Sequence, residues 1–160
     1  MKKITNPFAH AAKTGEYNCF GCSPGNDRGL HLEFWEDRDE VIARWTPQKA
    51  YEGWMGVLHG GIQATLLDEA AAWLIFVKLK TAGVTTRLNV EYLKPVYISR
   101  GEIAVRARLV STGKKTVEIE CTLTDGEGVV CAKAEATYFY FPEKIARAKY
   151  NYPGADAFFA

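Results

Sequence analysis

The chain has 160 residues, 48% of them hydrophobic and 24% charged, with a formal net charge of +1. These values fit one ordinary globular domain with a substantial core, and the near-neutral charge gives no reason to expect a nucleic-acid partner. No apolar run has the length of a membrane-spanning helix, and no apolar block follows the Met-Lys-Lys start as it does in a signal peptide. The expectation is therefore a cytoplasmic protein without a membrane partner.

Residues 1–29 are rich in Gly, Asn and Pro and read as an irregular arm, with a short helix near Phe8–Lys13. The arm carries Cys-Phe-Gly-Cys (Cys19 and Cys22), a spacing found in half-sites for zinc and in redox pairs. No second half-site and no βαβ pattern accompanies it, so the expectation is two reduced thiols in a loop and no bound metal. Cys121 and Cys131 lie ten apart in strand-like runs, where cysteine behaves as a small apolar residue. Residues 30–35 and 40–45 alternate apolar and polar positions on either side of Glu36-Asp-Arg-Asp, which predicts a β-hairpin. A loop over 46–58 then leads into the one long helical stretch, His59 to Lys80, with Gly83 closing the helix region.

On a helical wheel Ile62, Leu66, Ala70, Trp73 and Val77 fall within about one quadrant, as a core stripe does. The opposite side carries Ala64, Ala71 and Ile75 with Asp68 among them, so the helix is apolar nearly all round and reads as buried. A carboxylate there is costly unless paired or put to use, and Lys78 and Lys80 lie too far along to pair with it at i+4. Gly60 and Gly61 open the helix, where unpaired N–H groups and the positive dipole end converge. An acid downstream of such donors suits chemistry that builds negative charge on an oxygen. Glu69, about 100° round from Asp68, reads as a boundary or interface residue, and His10 and His31 as surface histidines.

After the helix the pattern is unbroken antiparallel β: Thr85–Leu93, Glu102–Val110, a run through Val117–Leu123 after the turn at 111–115, and a last strand over about 129–141 following Asp125-Gly126. The tail from Pro142 reads as a short helix or an arm docked on a neighbour. The sum is an α+β fold of about six antiparallel strands round one central helix. A helix so apolar calls for a curled sheet or a second copy, hence a homodimer or a dimer of dimers with the helices and Leu88–Tyr92 at the interface.

His59-Gly60-Gly61, Leu67-Asp68-Glu69-Ala70, Gly83 to Val96, Gly113-Lys-Lys and Asp125 to Ala134 come in an order that resembles the hotdog-fold acyl-CoA thioesterases of the PaaI-like (phenylacetyl-CoA) branch. The resemblance covers roughly residues 30–141, leaving the arm (1–29) and tail (142–160) outside the hotdog domain. It implies hydrolysis of an acyl-CoA thioester with no cofactor. Asp68 would attack the thioester or activate water, the Gly61 N–H would polarise the carbonyl beside Gly60, and His59 would position the loop. Thr85 would hold the water, serving Asp68 of the other subunit. Lys114 and Lys115 either meet the phosphates of coenzyme A or form a charged hairpin tip. One departure stands out. Many of these enzymes carry Asn or Gln six residues before the His, where this chain has Gly53 between Glu52 and Trp54, so either catalysis is weaker, Glu52 substitutes, or the chain binds acyl-CoA without cleaving it. The second function class is therefore an acyl-CoA-binding domain without turnover.

Overall fold

The computed structural model describes residues 1–160. The apolar stretch folds as α2 (Gly60–Leu74) and continues through one π-type turn, Ile75–Leu79. Lys80 ends it in the left-handed region (φ +56°), a position that usually selects glycine. Gly83, expected to close the helix, instead opens the next strand. A Cβ there would lie 2.8 Å from the Phe139 carbonyl oxygen, so the strand entry itself requires glycine.

The remaining elements are β1 (Lys2–Ile4), α1 (Ala9–Lys13), β2 (Glu33–Asp37), β3 (Glu40–Trp45), β4 (Gly83–Tyr92), β5 (Ile103–Thr112), β6 (Thr116–Thr124), β7 (Val130–Tyr140) and α3 (Glu143–Tyr150). They form one antiparallel sheet in the order β1-β2-β3-β5-β6-β7-β4, seven strands where the sequence suggested about six. The added strand is the start of the arm, paired to β2 from Lys2↔Glu36 to Ile4↔Phe34. Lys-Lys-Ile is too short to alternate, and only the burial of Ile4 ties it to the core.

The sheet curls round α2. Leu66, Leu67, Ala70, Ala71, Trp73, Leu74 and Ile75 have no exposed surface, and they meet the inward residues Val105, Ala107, Ile119, Cys121 and Ala136. The far end of the helix is covered by the chain's own termini. Phe158 is fully buried among Phe76, Trp73 and Phe8, and Tyr152 donates from its hydroxyl to the Phe76 carbonyl at 2.8 Å. The Thr5 N–H bonds the Phe158 carbonyl at 2.8 Å, joining arm to tail. The tail thus docks on its own chain, and burying this part of the helix needs no second copy. What stays uncovered is β4, an edge strand paired only with β7, with Val84, Tyr92 and the adjoining Leu93 exposed.

The β4–β7 ladder is irregular at one point. Thr85 pairs with Tyr138 and Arg87 with Thr137, so Thr86 is an extra residue, a β-bulge. Below the bulge Leu88 and Val90 oppose Ala136 and Ala134 of the inward face. Strict alternation from them would turn Thr86 inward. The inserted residue turns Thr85 inward instead, opposite Tyr138.

Candidate active site

Asp68 sits in mid-helix, half-buried, where α2 crosses the β4–β7 pair. Its Oδ1 accepts the Thr85 hydroxyl at 2.8 Å and also the Tyr138 hydroxyl. Tyr138 is 1% exposed and donates to the Asp68 main-chain carbonyl at 2.8 Å as well. Burial, and then the adjacent carboxylate, push the Tyr138 phenol well above its usual range, so it stays a proton donor. Oδ2 accepts no hydrogen bond from the protein. One oxygen is thus fixed by two hydroxyls on facing residues of neighbouring strands, and the other is free to take a proton. Thr85 meets Asp68 within one chain, not across subunits as the resemblance implied.

The helix start is a separate place. Asp68 lies seven residues beyond Gly61, a rise of roughly 10 Å. His59 caps the helix, its Nδ1 accepting the Gly61 N–H at 2.9 Å, so the donor proposed for an oxyanion is engaged by the residue proposed to position it. The Gly60 carbonyl accepts the Tyr92 hydroxyl at 2.7 Å. Gly53 passes close to His59: a Cβ there would lie 3.0 Å from its Cα, so any side chain at this position would press on the His59 backbone. Glu52 is half-buried and lines a groove with His59, Gly61 and Thr65. A groove of about 380 Å³ on the other side is lined by Trp54, Gly60, Gln63, Tyr92 and Pro95. Gln63 is buried, donates to the Leu58 carbonyl at 3.0 Å, and leaves its Oε1 without a donor.

Lys114 and Lys115 are exposed at the β5–β6 tip, which the Tyr140 hydroxyl braces by donating to the Gly113 carbonyl at 2.7 Å. Tyr138 pairs with both Thr85 and Val117, so this tip stands at the Asp68 end of the sheet rather than the Gly60 end.

Sequence reasoning missed Tyr138 and Gln63. Tyr138 follows Ala132, Ala134 and Ala136 on the inward face, and a phenol in such a series needs a partner, which was the available signal. It also read Glu69 and the arm cysteines apart, and the structure joins them. Cys19 Sγ lies 3.4 Å from Glu69 Oε1, and the donor atoms of Cys19, Cys22 and Glu69 all fall within 4.8 Å of one another. The Tyr17 hydroxyl lies 2.8 Å from Cys22 Sγ, and Trp73 Nε1 donates to Glu69 Oε1 at 3.2 Å. Burial, and then Cys19, push Glu69 up to about 7, while hydrogen bonding from Cys22 leads the causes holding Cys19 down to about 5.

A family model described as the thioesterase superfamily matches residues 55–132, which hold the helix start, Asp68, Thr85 and the β4–β6 core. The match covers just under half of the chain and marks a similarity to that superfamily. The chain's similarity to individual members is moderate. A Saccharolobus solfataricus protein that carries a provisional esterase name is 34% identical over 89 residues, 55% of this chain and 58% of that one. Acyl-coenzyme A thioesterase 13 of Mus musculus is 27% identical over 88 residues, 54% of this chain and 62% of that one. The matched stretch therefore spans about three fifths of these curated relatives. A hypothetical thioesterase of Streptococcus pneumoniae, solved with coenzyme A, superposes with a TM-score of 0.64 at 24% identity, over 70% of this chain and 87% of that one. The superfamily's hotdog fold, a curved antiparallel sheet round a long helix, is thus the fold of this chain. No helix is long and apolar enough to cross a membrane.

Proposed function

We propose that this protein hydrolyses acyl-CoA thioesters in the manner of the PaaI-like branch, with Asp68 as general base. The carrying observation is the carboxylate held at Oδ1 by Thr85 and Tyr138 and open at Oδ2. In the proposed step Oδ2 takes a proton from water as its oxygen bonds to the thioester carbon. The C–S bond then breaks, and the proton passes to the leaving coenzyme A sulfur. Coenzyme A bound to the S. pneumoniae protein and the name of the mouse relative support this substrate class. Lys114 and Lys115, exposed at the same end as Asp68, would attract the phosphates.

The oxyanion donor is proposed to come from a second copy. Gly61 and Asp68 of one chain stand too far apart along the helix axis for both to contact one carbonyl directly, and β4 offers an exposed edge for pairing. In this arrangement Asp68, Thr85 and Tyr138 of one protomer face His59, Gly60 and Gly61 of its partner. The His59 imidazole would swing off the Gly61 N–H as the thioester oxygen replaces it.

Steady-state thiol release from a panel of acyl-CoAs tests the reading. Asp68→Asn keeps the size and removes the charge, and is expected to lower kcat by about 10²–10⁴ while binding survives. A variant retaining more than about a third of wild-type kcat would make Asp68 structural. Acyl-CoA binding without turnover is the second reading, favoured by the engagement of Gly61 by His59 and by the glycine at position 53. Tight binding with no thiol release from the wild type would select it.

A further inference from the structure

We propose that Cys19, Cys22 and Glu69 bind one borderline-soft divalent cation, of which zinc suits the donors best, and that this ion clamps the N-terminal arm to the central helix. The site is independent of the thioester chemistry. Two thiols of the arm and a carboxylate of α2, distant in sequence, bring their donor atoms within 4.8 Å of one another. A tetrahedral zinc ion with sulfur at about 2.3 Å and carboxylate oxygen at about 2.0 Å requires an S···O separation of about 3.5 Å. The Cys19 Sγ to Glu69 Oε1 distance is 3.4 Å, so this edge of the tetrahedron is already formed.

The surroundings are those of a built site. The Cys19–Cys22 segment is wound into a turn closed by the Ser23 N–H on the Cys19 carbonyl at 3.1 Å. Outside the donors, the Tyr17 hydroxyl meets Cys22 and the Trp73 indole N–H meets Glu69, fixing both side chains. Gly21 lies flat on the carboxylate: a Cβ there would sit 2.6 Å from Glu69 Cδ and would push that side chain from its place. No lysine, arginine or histidine forms a salt bridge to Glu69. Two thiols and a carboxylate with no cationic side chain beside them are a donor set that a divalent ion completes. Three protein donors leave the fourth position to water.

The test uses the full chain, reduced and stripped with chelator, then titrated with Co²⁺ as an optical probe. The expected result is thiolate-to-cobalt charge transfer with the visible bands of tetrahedral cobalt, saturating at one equivalent per chain and bleached by Zn²⁺. Zinc is expected to raise the melting temperature of the wild type by about 5–10 °C at a hundredfold excess over its dissociation constant. Cys19→Ser and Cys22→Ser should lose the spectrum and the zinc-dependent rise. Glu69→Gln should weaken cobalt binding by about 10–100-fold or more, the scale on which even supporting groups of metal sites act. If the cysteine variants fail to fold, the wild-type stoichiometry and the Glu69→Gln titration still decide. A wild type with no saturable cobalt spectrum overturns the proposal. So does one in which the two cysteines form a disulfide in air and retain no metal under reduction, and so does a Glu69→Gln variant that binds cobalt as the wild type does.

Discussion

Tyr138→Phe removes one oxygen atom from the inward face of β7 and changes little else, so its effects can be worked from the contacts. The hydroxyl donates to Asp68 Oδ1 and to the Asp68 carbonyl, and its ring is 1% exposed. Hydrogen bonds to charged acceptors are worth about 1.5–3 kcal/mol. Oδ1 keeps its bond from Thr85, which puts the loss near the lower figure. For a chain of this size about 1.5 kcal/mol corresponds to a fall of roughly 3–6 °C in melting temperature. The kinetic expectation is separate. If the hydroxyl holds the carboxylate so that Oδ2 faces the water, its loss should lower kcat about tenfold, near 1.4 kcal/mol in the barrier, and leave KM alone. A pH series supplies an internal check. Tyr138 resists ionisation in the fold, so above pH of about 10 the unfolded chain binds fewer protons than the folded one, and stability falls by up to about 1.4 kcal/mol per pH unit. The phenylalanine variant should lack that component. Thermal unfolding across the pH series and thiol-release kinetics measure all three quantities. A variant that loses stability as stated but turns over at the wild-type rate would refute the idea that the sheet orients the catalytic carboxylate.

Mixing Asp68→Asn with Gly61→Pro, each inactive alone, should restore about a quarter of wild-type thiol release if each site draws on two copies, and none if it lies within one chain. Proline there removes the donor together with the His59 cap bond, in the first helical turn, where proline is tolerated best. Replacing Lys114 and Lys115 by glutamate should raise KM for acyl-CoA at low salt, with the difference shrinking as salt is added. Unchanged KM would make the pair a plain hairpin tip. Gly126→Ala puts a Cβ 1.8 Å from the Arg100 carbonyl oxygen, beside the buried Asp125 and its half-buried partner Arg100. It should cost about 2–3 kcal/mol in urea unfolding, and a neutral result would mean the loop yields freely.

Much of this architecture was legible because period and punctuation agree. The apolar run after Gly61 exceeds any strand, and the alternating runs around Asp125-Gly126 leave no other pairing. Asp68 was legible as a carboxylate in the wrong solvent. What escaped the sequence was non-local. Tyr138 looks apolar by alternation, and its role depends on which residue of α2 lies beneath it. The arm cysteines looked incomplete because their third partner is a glutamate on another element. The argument for a second copy needs restating too. The far end of the helix is covered by the arm and tail, and the exposed surface that favours pairing is the edge of β4.

The bulge in β4 has a bearing on how this site tolerates mutation. Thr85 and Thr86 are identical side chains at a two-against-one position, one bonded to Asp68 and the other to the Thr137 carbonyl at 3.0 Å. Moving the extra residue one place along the strand exchanges them, bringing Thr86 opposite Tyr138 while the rest of the ladder keeps its register. The hydroxyl is thus encoded twice. Loss of either threonine leaves a spare within one residue's slip, so a single alanine at 85 understates the group's importance, and only the double substitution exposes it.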